Sequence, residues 1–198
     1  MNTVGLILAG GKSRRLGAHK FQTFLGEKPL LDHVAARLAP QVDEVSVNLP
    51  RGCTHDNFTV LKEPEGKQDG PLAGVLLGLN WAKSIGANAL VTMPVDVPFF
   101  PNDIVAQLVA QLAGQRPICV VKGARRHGLC AVWPAACLPV FSKAYSDDNI
   151  RTVNRMLDLL QAREIAFDSV GDEQFFNVNT VEDIEKARHI FLKAKDHE

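Results

Sequence analysis

The residues best suited to chemistry lie in a glycine-rich segment that follows the apolar run at residues 4–9. Its chemically informative positions are Gly10, Gly11, Arg14, Arg15, Gly17 and Lys20. Glycines allow backbone N–H groups to come close to phosphate oxygens, and arginine and lysine side chains neutralise phosphate charge. On glycine content alone the segment is either a phosphate-binding loop or a simple tight turn.

Two familiar phosphate-binding patterns are absent from this segment. The dinucleotide pattern G-x-G-x-x-G does not occur, and the pattern G-x-x-x-x-G-K-[ST] fails because Gly17 is followed by Ala18 and His19. These absences weaken the hypotheses of a P-loop hydrolase and of a dehydrogenase. They leave open a phosphate-binding loop of another kind.

A second chemical candidate is Asp96, which stands between Pro94 and Pro98 directly after the apolar run at residues 89–93. Magnesium suits such a carboxylate at a strand end, because proteins bind this ion through one or two carboxylates together with substrate phosphates and water. The alternative is an ordinary turn or helix-capping aspartate, which is common where proline and aspartate cluster. Residues 69–71, around Gly70, are read first as a helix start and second as a functional motif.

The apolar patterns predict the elements that must position these groups. Strands are predicted at residues 4–9, 45–47, 59–61, 89–93, 118–121 and 129–133, and helices at 102–112, at 150–161, from Pro29, from 69–71 and after a cap at Thr180. Strands alternating with helices indicate an α/β fold with a doubly wound, mostly parallel sheet and helices on both faces. Such sheets bind ligands beyond the carboxyl ends of their strands, where Asn48, Glu63 and Asp96 are expected.

The composition excludes several classes of protein. Of 198 residues, 22 are basic and 22 acidic, so the formal net charge is zero, which argues against a nucleic-acid or anionic-membrane binder. No apolar stretch approaches the roughly 20 residues of a membrane span, and no basic leader precedes the first apolar run. The four cysteines form no C-x-x-C pair, which favours reduced thiols over a zinc site. We expect a cytoplasmic, soluble protein.

Four motifs in combination resemble the molybdenum cofactor guanylyltransferases. They are L-A-G-G-x-S-x-R-x-G-x-x-K at residues 8–20, D-G-P-L-A-G at 69–74, P-x-D-x-P at 94–98 and N-x-N-T at 177–180. The resemblance covers nearly the whole chain and implies a single domain over residues 1–198 with a nucleotide-diphospho-sugar transferase-like, Rossmann-like fold. It also implies a magnesium-dependent transfer of GMP from GTP to molybdopterin-bound molybdenum cofactor, with pyrophosphate released.

The resemblance also implies roles for individual residues, with nucleotide binding in the N-terminal half and acceptor binding in the C-terminal half. The implied nucleotide-binding residues are Leu8, Ala9, Gly10, Gly11, Lys20, Asn48, Glu63 and Asp96. Arg15, Lys20 and Asp96 are implied to be catalytic, and Asp96 is the implied magnesium ligand. The implied acceptor-side residues are Gly70, Arg151, Asn177 and Asn179.

Three positions depart from the family pattern. His19 stands where relatives usually carry Asp, Glu63 where Asp is common, and Val95 where the motif reads Pro-Cys-Asp. The pair Gly10-Gly11 resembles the guanine-using members, whereas cytosine-using relatives tend toward L-A-A-G.

Several alternatives remain open at the level of sequence. His127 either touches the acceptor or is a solvated or hydrogen-bonded loop histidine. The same chemistry could act on CTP or on a sugar phosphate, and a non-catalytic carrier of the cofactor is a rival of another class. Transient contact with an apo-molybdoenzyme is expected from the family.

Overall fold

The structure is a computed structural model that describes residues 1–10, 19–62, 70–168, 171 and 173–195. The strands are β1 (Thr3–Leu8), β2 (Phe24–Leu25), β3 (Lys28–Pro29), β4 (Glu44–Asn48), β5 (Thr59–Leu61), β6 (Ala89–Pro94), β7 (Ile118–Lys122), β8 (Arg125–Pro134) and β9 (Arg163–Ala166). The helices are α1 (Leu30–Leu38), α2 (Pro71–Ser84), α3 (Ile104–Ala110), α4 (Leu138–Ser146), α5 (Val153–Leu159) and α6 (Val181–Lys195).

Seven strands form one sheet in the order β5-β4-β1-β6-β8-β7-β9, and β2 and β3 form a separate hairpin. The pairs β5–β4, β4–β1, β1–β6 and β7–β9 are parallel, which confirms the predicted mostly parallel sheet. Strand β8 runs antiparallel to both β6 and β7. The turn between β7 and β8, with Gly123 at φ +56°, is too short for the crossover that a parallel pair requires.

Side chains alternate along the central strand and build a core on each face of the sheet. Leu6 and Leu8 of β1 pack with apolar residues of α2, α4 and α5, whereas Ile7 packs with those of α1, α3 and α6. This alternation follows from the two-residue period of a strand. The predicted doubly wound fold, with helices on both faces, is therefore confirmed.

The central strands end at the same level. In the parallel registers, Leu8 of β1 lies opposite Asn48 of β4 and opposite Pro94 of β6. The segments that follow these strands therefore emerge side by side at one edge of the sheet. This is the edge at which a doubly wound fold binds its ligand.

Helix α2 packs closely on β1 because two of its inward positions are glycines. A Cβ atom at Gly78 would lie 2.6 Å from Cδ2 of Leu6 and 2.8 Å from Cδ2 of Leu90, distances shorter than van der Waals contact. Both leucines are fully buried. The small residue at this position therefore sets the distance between helix and sheet.

The structure corrects several element boundaries and adds elements that were not predicted. The helix predicted at 150–161 begins at Val153, the helix predicted at 102–112 spans Ile104–Ala110, and β8 begins at Arg125 rather than at residue 129. Helix α4, strand β9 and the β2–β3 hairpin were missed. Strand β9 is exposed except at Ile165, so its sequence shows no alternation of apolar and polar residues that could predict a strand. Its pairing with β7 is decided by tertiary structure.

Two further expectations concern the last helix and the cysteines. Thr180 and Asp183 form a reciprocal cap before α6, since each backbone N–H donates to the other side chain, at 3.0 and 3.1 Å, which confirms the predicted cap.

All four cysteines are free thiols, and burial raises the pKa of Cys137 to about 12. Within the described part of the chain, the helices are too short or too polar to cross a membrane.

The close approach of α2 gives a stability prediction. Replacing Gly78 with Ala should lower the free energy of unfolding by about 1 kcal/mol, because overpacking costs about 1–3 kcal/mol and better helix propensity offsets about 1 kcal/mol of it. Asn80→Ala, on the exposed side of the same helix, is the matched control and should change stability by less than about 0.5 kcal/mol. Urea unfolding measures the free energy of unfolding of both variants. Equal stability of the two variants would contradict the packing argument.

Candidate active site

The ends of β1, β4 and β6 enclose a cavity of about 200 Å³. Its lining residues are Leu8, Ala9, Gly10, Lys20, Asn48, Pro71, Pro94, Val95, Asp96 and Leu129. Every described member of the predicted nucleotide-binding set thus lines the same cavity. The predicted residues Gly11, Arg15 and Glu63 lie outside the described residues, so their roles stay predictions.

Backbone hydrogen bonds hold the floor of this cavity, which we call the strand-end cavity. Ala9 N donates to the carbonyl of Asn48 at 2.9 Å, and Val95 N donates to the carbonyl of Leu8 at 3.0 Å. Beneath them, a Cβ atom at Gly74 of α2 would lie 2.8 Å from Leu8 Cδ2 and 2.9 Å from Asn48 Oδ1. The floor therefore needs glycine at position 74, because any side chain there would displace Leu8 or Asn48.

Lys20 joins two loops that are distant in sequence. Its ammonium group donates to Asp96 Oδ2 at 2.9 Å and to Asn179 Oδ1 at 2.7 Å. The Lys20 and Asp96 side chains are each only 19% exposed, so their attraction is less screened than that of a surface ion pair. The three residues form a polar cluster that we call the Lys20 cluster.

The surroundings of Asp96 exclude a helix-capping role among the described residues and place Asp96 in the turn after β6. Helix α3 begins only at Ile104, with Asp103 as its flanking residue, so Asp96 caps no described helix. Its side chain instead pairs with Lys20, and its backbone carbonyl accepts a hydrogen bond from Val178 N at 2.8 Å. Asp96 therefore anchors the segment that carries Asn177 and Asn179.

The donor set fits a magnesium ion that is held mainly by its substrate. Among the described residues, no group of three or more His, Cys, Asp or Glu side chains could form a complete protein cage for a metal. Asp96 supplies one carboxylate, and within the described residues only its Oδ2 atom carries a hydrogen bond. One carboxylate with substrate phosphates and water is an ordinary arrangement for Mg²⁺.

A second cavity, of about 430 Å³, adjoins the first across the Lys20 cluster. We call it the hairpin cavity, because part of its lining belongs to the antiparallel hairpin formed by β7 and β8. Its lining residues are Lys122, Arg125, His127, Gln174, Phe175, Phe176, Asn177, Asn179 and Asp183. Asn179 belongs to this lining and also bonds to Lys20. The predicted acceptor residues Asn177 and Asn179 are thus brought together beside the strand-end cavity.

Two other predicted acceptor residues lie elsewhere. The guanidinium of Arg151 donates to the carbonyl of Tyr145 and stands 4.2 Å from the centre of its ring, and Arg151 lines neither cavity. Gly70, with φ +77°, directly precedes α2, and its neighbour Pro71 lines the strand-end cavity. Acceptor binding by these two residues stays a prediction.

His127 is held as a neutral side chain. Burial lowers its pKa to about 4, and the nearby charges of Arg125 and Lys122 act in the same direction. Its ring lies 5.4 Å from that of Phe175, centre to centre. Near pH 7 the positive charge of the hairpin cavity therefore comes from arginine and lysine.

The cap of α6 sets the position of Asn179. The carboxylate of Asp183 accepts hydrogen bonds from the backbone N–H groups of Asn179 and Thr180, each at 3.0 Å. The bond from Asn179 is the main reason that the pKa of Asp183 lies below its usual value. These two hydrogen bonds fix the backbone at Asn179, whose side chain accepts the hydrogen bond from Lys20.

Sequence reasoning did not assign functions to Lys122, Arg125, Gln174 or Phe175, although all four line the hairpin cavity. A signal was available for the first two, because residues 122–127 read Lys-Gly-Ala-Arg-Arg-His, a basic turn between two strands. Gln174 and Phe175 had no such signal, because only folding brings residues 174–175 to the β7–β8 hairpin.

The comparisons with known proteins identify the family of this chain. The family model of the MobA-like NTP transferase domain matches residues 5–163. A molybdenum cofactor guanylyltransferase of Cereibacter sphaeroides is 37% identical over 199 residues, covering 98% of this chain and 99% of the relative. Another, of Rhodobacter capsulatus, is 37% identical and covers 94% and 95% of the two chains.

Solved structures at low identity show the same fold. Molybdopterin-guanine dinucleotide biosynthesis protein A of Archaeoglobus fulgidus aligns with a TM-score of 0.76 at 20% identity, covering 96% of this chain and 99% of the other. The 4-diphosphocytidyl-2C-methyl-D-erythritol synthase of Anaerococcus prevotii aligns with a TM-score of 0.69 at 10% identity, covering 96% and 98%. With matches along almost its whole length, the chain belongs to the MobA-like NTP transferase domain family, among the molybdenum cofactor guanylyltransferases.

Proposed function

We propose that this chain transfers GMP from GTP to the phosphate of molybdopterin-bound molybdenum cofactor, forming the guanine dinucleotide cofactor and releasing pyrophosphate. The names of relatives that are 37% identical over nearly their full length support the reaction. The observation that carries it here is the Lys20 cluster, which places one cation and one carboxylate between two cavities. Such an arrangement suits a transferase, because its two substrates must be held next to each other for the transfer.

In this proposal the strand-end cavity takes the triphosphate and the hairpin cavity takes the acceptor. Gly10 presents backbone without a side chain at the cavity wall, and the ammonium of Lys20 offsets the charge of the phosphates. Asn179 holds the Lys20 side chain in position through their 2.7 Å hydrogen bond. Asp96 is the residue that would hold Mg²⁺, which when bound supplies charge neutralisation and orientation of phosphate oxygens.

The reaction forms one bond and breaks one bond. An oxygen of the acceptor phosphate bonds to the α-phosphorus of GTP, and the bond from that phosphorus to the oxygen bridging to the β-phosphate breaks. The acceptor phosphate is already anionic near neutral pH, so no general base is required. Lys20 therefore acts by positioning and by offsetting charge in the transition state.

The cellular compartment and the recipient of the product belong to the same proposal. We place it in the cytoplasm, where reduced thiols such as the buried Cys119, Cys130 and Cys137 are normal. The dinucleotide product has to be handed to an apo-molybdoenzyme, so a transient contact with such a protein belongs to the same proposal.

The choice of triphosphate is tested by pyrophosphate release from purified protein with magnesium and molybdenum cofactor. We expect release with GTP and at least tenfold less with CTP or ATP, a difference of about 1.4 kcal/mol or more. Release with CTP instead would keep the mechanism and overturn the base. No release with any triphosphate, from protein that binds the cofactor, would favour a carrier.

The role of Asp96 gives a second prediction. Asp96→Asn keeps the size of the side chain and removes its charge, so kcat should fall about a thousandfold, or about 4 kcal/mol. Asp103→Asn changes an exposed aspartate a short distance along the chain and is the matched control. Circular dichroism should show an intact fold in both. An Asp96→Asn enzyme with full magnesium-dependent activity would remove Asp96 from the site.

The floor of the strand-end cavity gives a third prediction. Gly74→Ala should raise the KM for GTP about tenfold, because its Cβ would displace Leu8 or Asn48. Gly78→Ala overpacks the same helix one turn away, against Leu6 and Leu90, which do not line the cavity. It should destabilise the protein and leave that KM unchanged. Equal KM values in the two variants would show that the effect of Gly74→Ala is only one of stability.

A further inference from the structure

Arg125 is a cation at the wall of the hairpin cavity. It is the first residue of β8, it is exposed, and its guanidinium forms no ion pair or hydrogen bond with any described residue. The next residue, Arg126, points to the opposite side of the strand and pairs with Asp158 at 2.6 Å and with Glu164 at 2.9 Å. Two adjacent arginines therefore differ in their contacts: Arg126 pairs with two carboxylates, and Arg125 has no such partner among the described residues.

Two described acidic groups near Arg125 are already engaged. Asp183 of the same cavity accepts two backbone N–H groups, and Asp96 is paired with Lys20. On the hairpin itself, Lys122 adds a second ammonium, which donates to the carbonyl oxygens of Gly171 and Gln174. The cavity thus offers positive charge to an anion, although the whole chain has no net charge.

The segment that carries Phe175 lines the same cavity and has a left-handed backbone at that residue, whose ring is itself buried in the core. Phe175 has φ +63°, an uncommon value for a residue other than glycine, and its N–H donates to the carbonyl of Phe99 at 2.7 Å. This strained turn brings the Phe175 ring against the neutral ring of His127 and leads directly into Asn177 and Asn179. Such strain persists where the surrounding structure imposes it, often at functional sites.

We propose that Arg125 is a specificity-determining residue for the acceptor: its guanidinium binds an anionic group of the acceptor beside the half-buried ring of His127. The inference deepens the proposed function, on which it rests. The ligand class is a heterocycle that carries an anionic group, which suits a cavity where the Arg125 guanidinium has no partner among the described residues and the His127 ring forms part of the wall. Lys122 is a positioning residue, because its bonds hold the wall that contains Gln174.

The decisive experiment measures steady-state kinetics of the full chain carrying Arg125→Gln, with GTP and acceptor varied separately. We expect the KM for the acceptor to rise about tenfold or more, as loss of a charge-assisted hydrogen bond implies, with the KM for GTP unchanged. Arg125→Lys should recover part of the loss, since it keeps the charge without the planar fork. The matched control is Arg116→Gln, an exposed arginine that lines neither cavity.

An unchanged acceptor KM in Arg125→Gln, in an enzyme that turns over normally, would overturn the inference and leave the proposed function standing. If the wild-type chain shows no turnover, the proposed function fails, and binding alone decides the inference. The probe is then pterin-6-carboxylate, a fluorescent, planar, anionic heterocycle. Tighter binding to wild type and Arg116→Gln than to Arg125→Gln supports the role of Arg125, and equal binding to all three rejects it.

Discussion

The attraction between one ammonium group and two side-chain oxygens organises the active-site edge of this protein. Lys20 follows the glycine-rich segment, Asp96 follows β6 and Asn179 precedes α6, so the two hydrogen bonds join residues 76 and 159 positions apart in sequence. Removing one partner would leave a partly buried polar group unsatisfied, at a cost of about 1–3 kcal/mol. The contacts that hold the loops together therefore involve the same atoms that the proposed reaction uses.

That cluster can form only because the sheet and its helices place the loops at one edge. The register of β1 against β4 and β6 ends three strands at the same level, and glycines at 74 and 78 let α2 pack closely beneath them. At the C-terminal end, the reciprocal cap between Thr180 and Asp183 and the hydrogen bond from Asn179 N to Asp183 fix the position of Asn179 just before the last helix. Backbone geometry thus aligns the site, and side-chain charge holds it.

Charge is distributed unevenly even though it sums to zero over the chain. Three described acidic groups near the β7–β8 hairpin, namely Asp158, Glu164 and Asp183, are engaged by ion pairs or by backbone N–H groups. Burial and the neighbouring cations keep His127 neutral, with a pKa of about 4. The net charge of the sequence argued against a nucleic-acid or anionic-membrane binder but could not indicate a local basic cavity, because pairing is a property of the folded chain.

The sequence by itself determined the buried strands β1 and β6, the cap of α6 and the set of motif residues that meet in the strand-end cavity, because apolar runs, capping pairs and motif spacing are local properties. It did not reveal β9, whose exposed residues pair only where β7 offers an edge, nor the contact of Arg151 with Tyr145. Only the tertiary structure decided that Lys20 bonds to Asn179, and that Arg125 faces a cavity while Arg126 is paired. Those outcomes depend on which groups from distant segments meet, and local sequence carries no record of that.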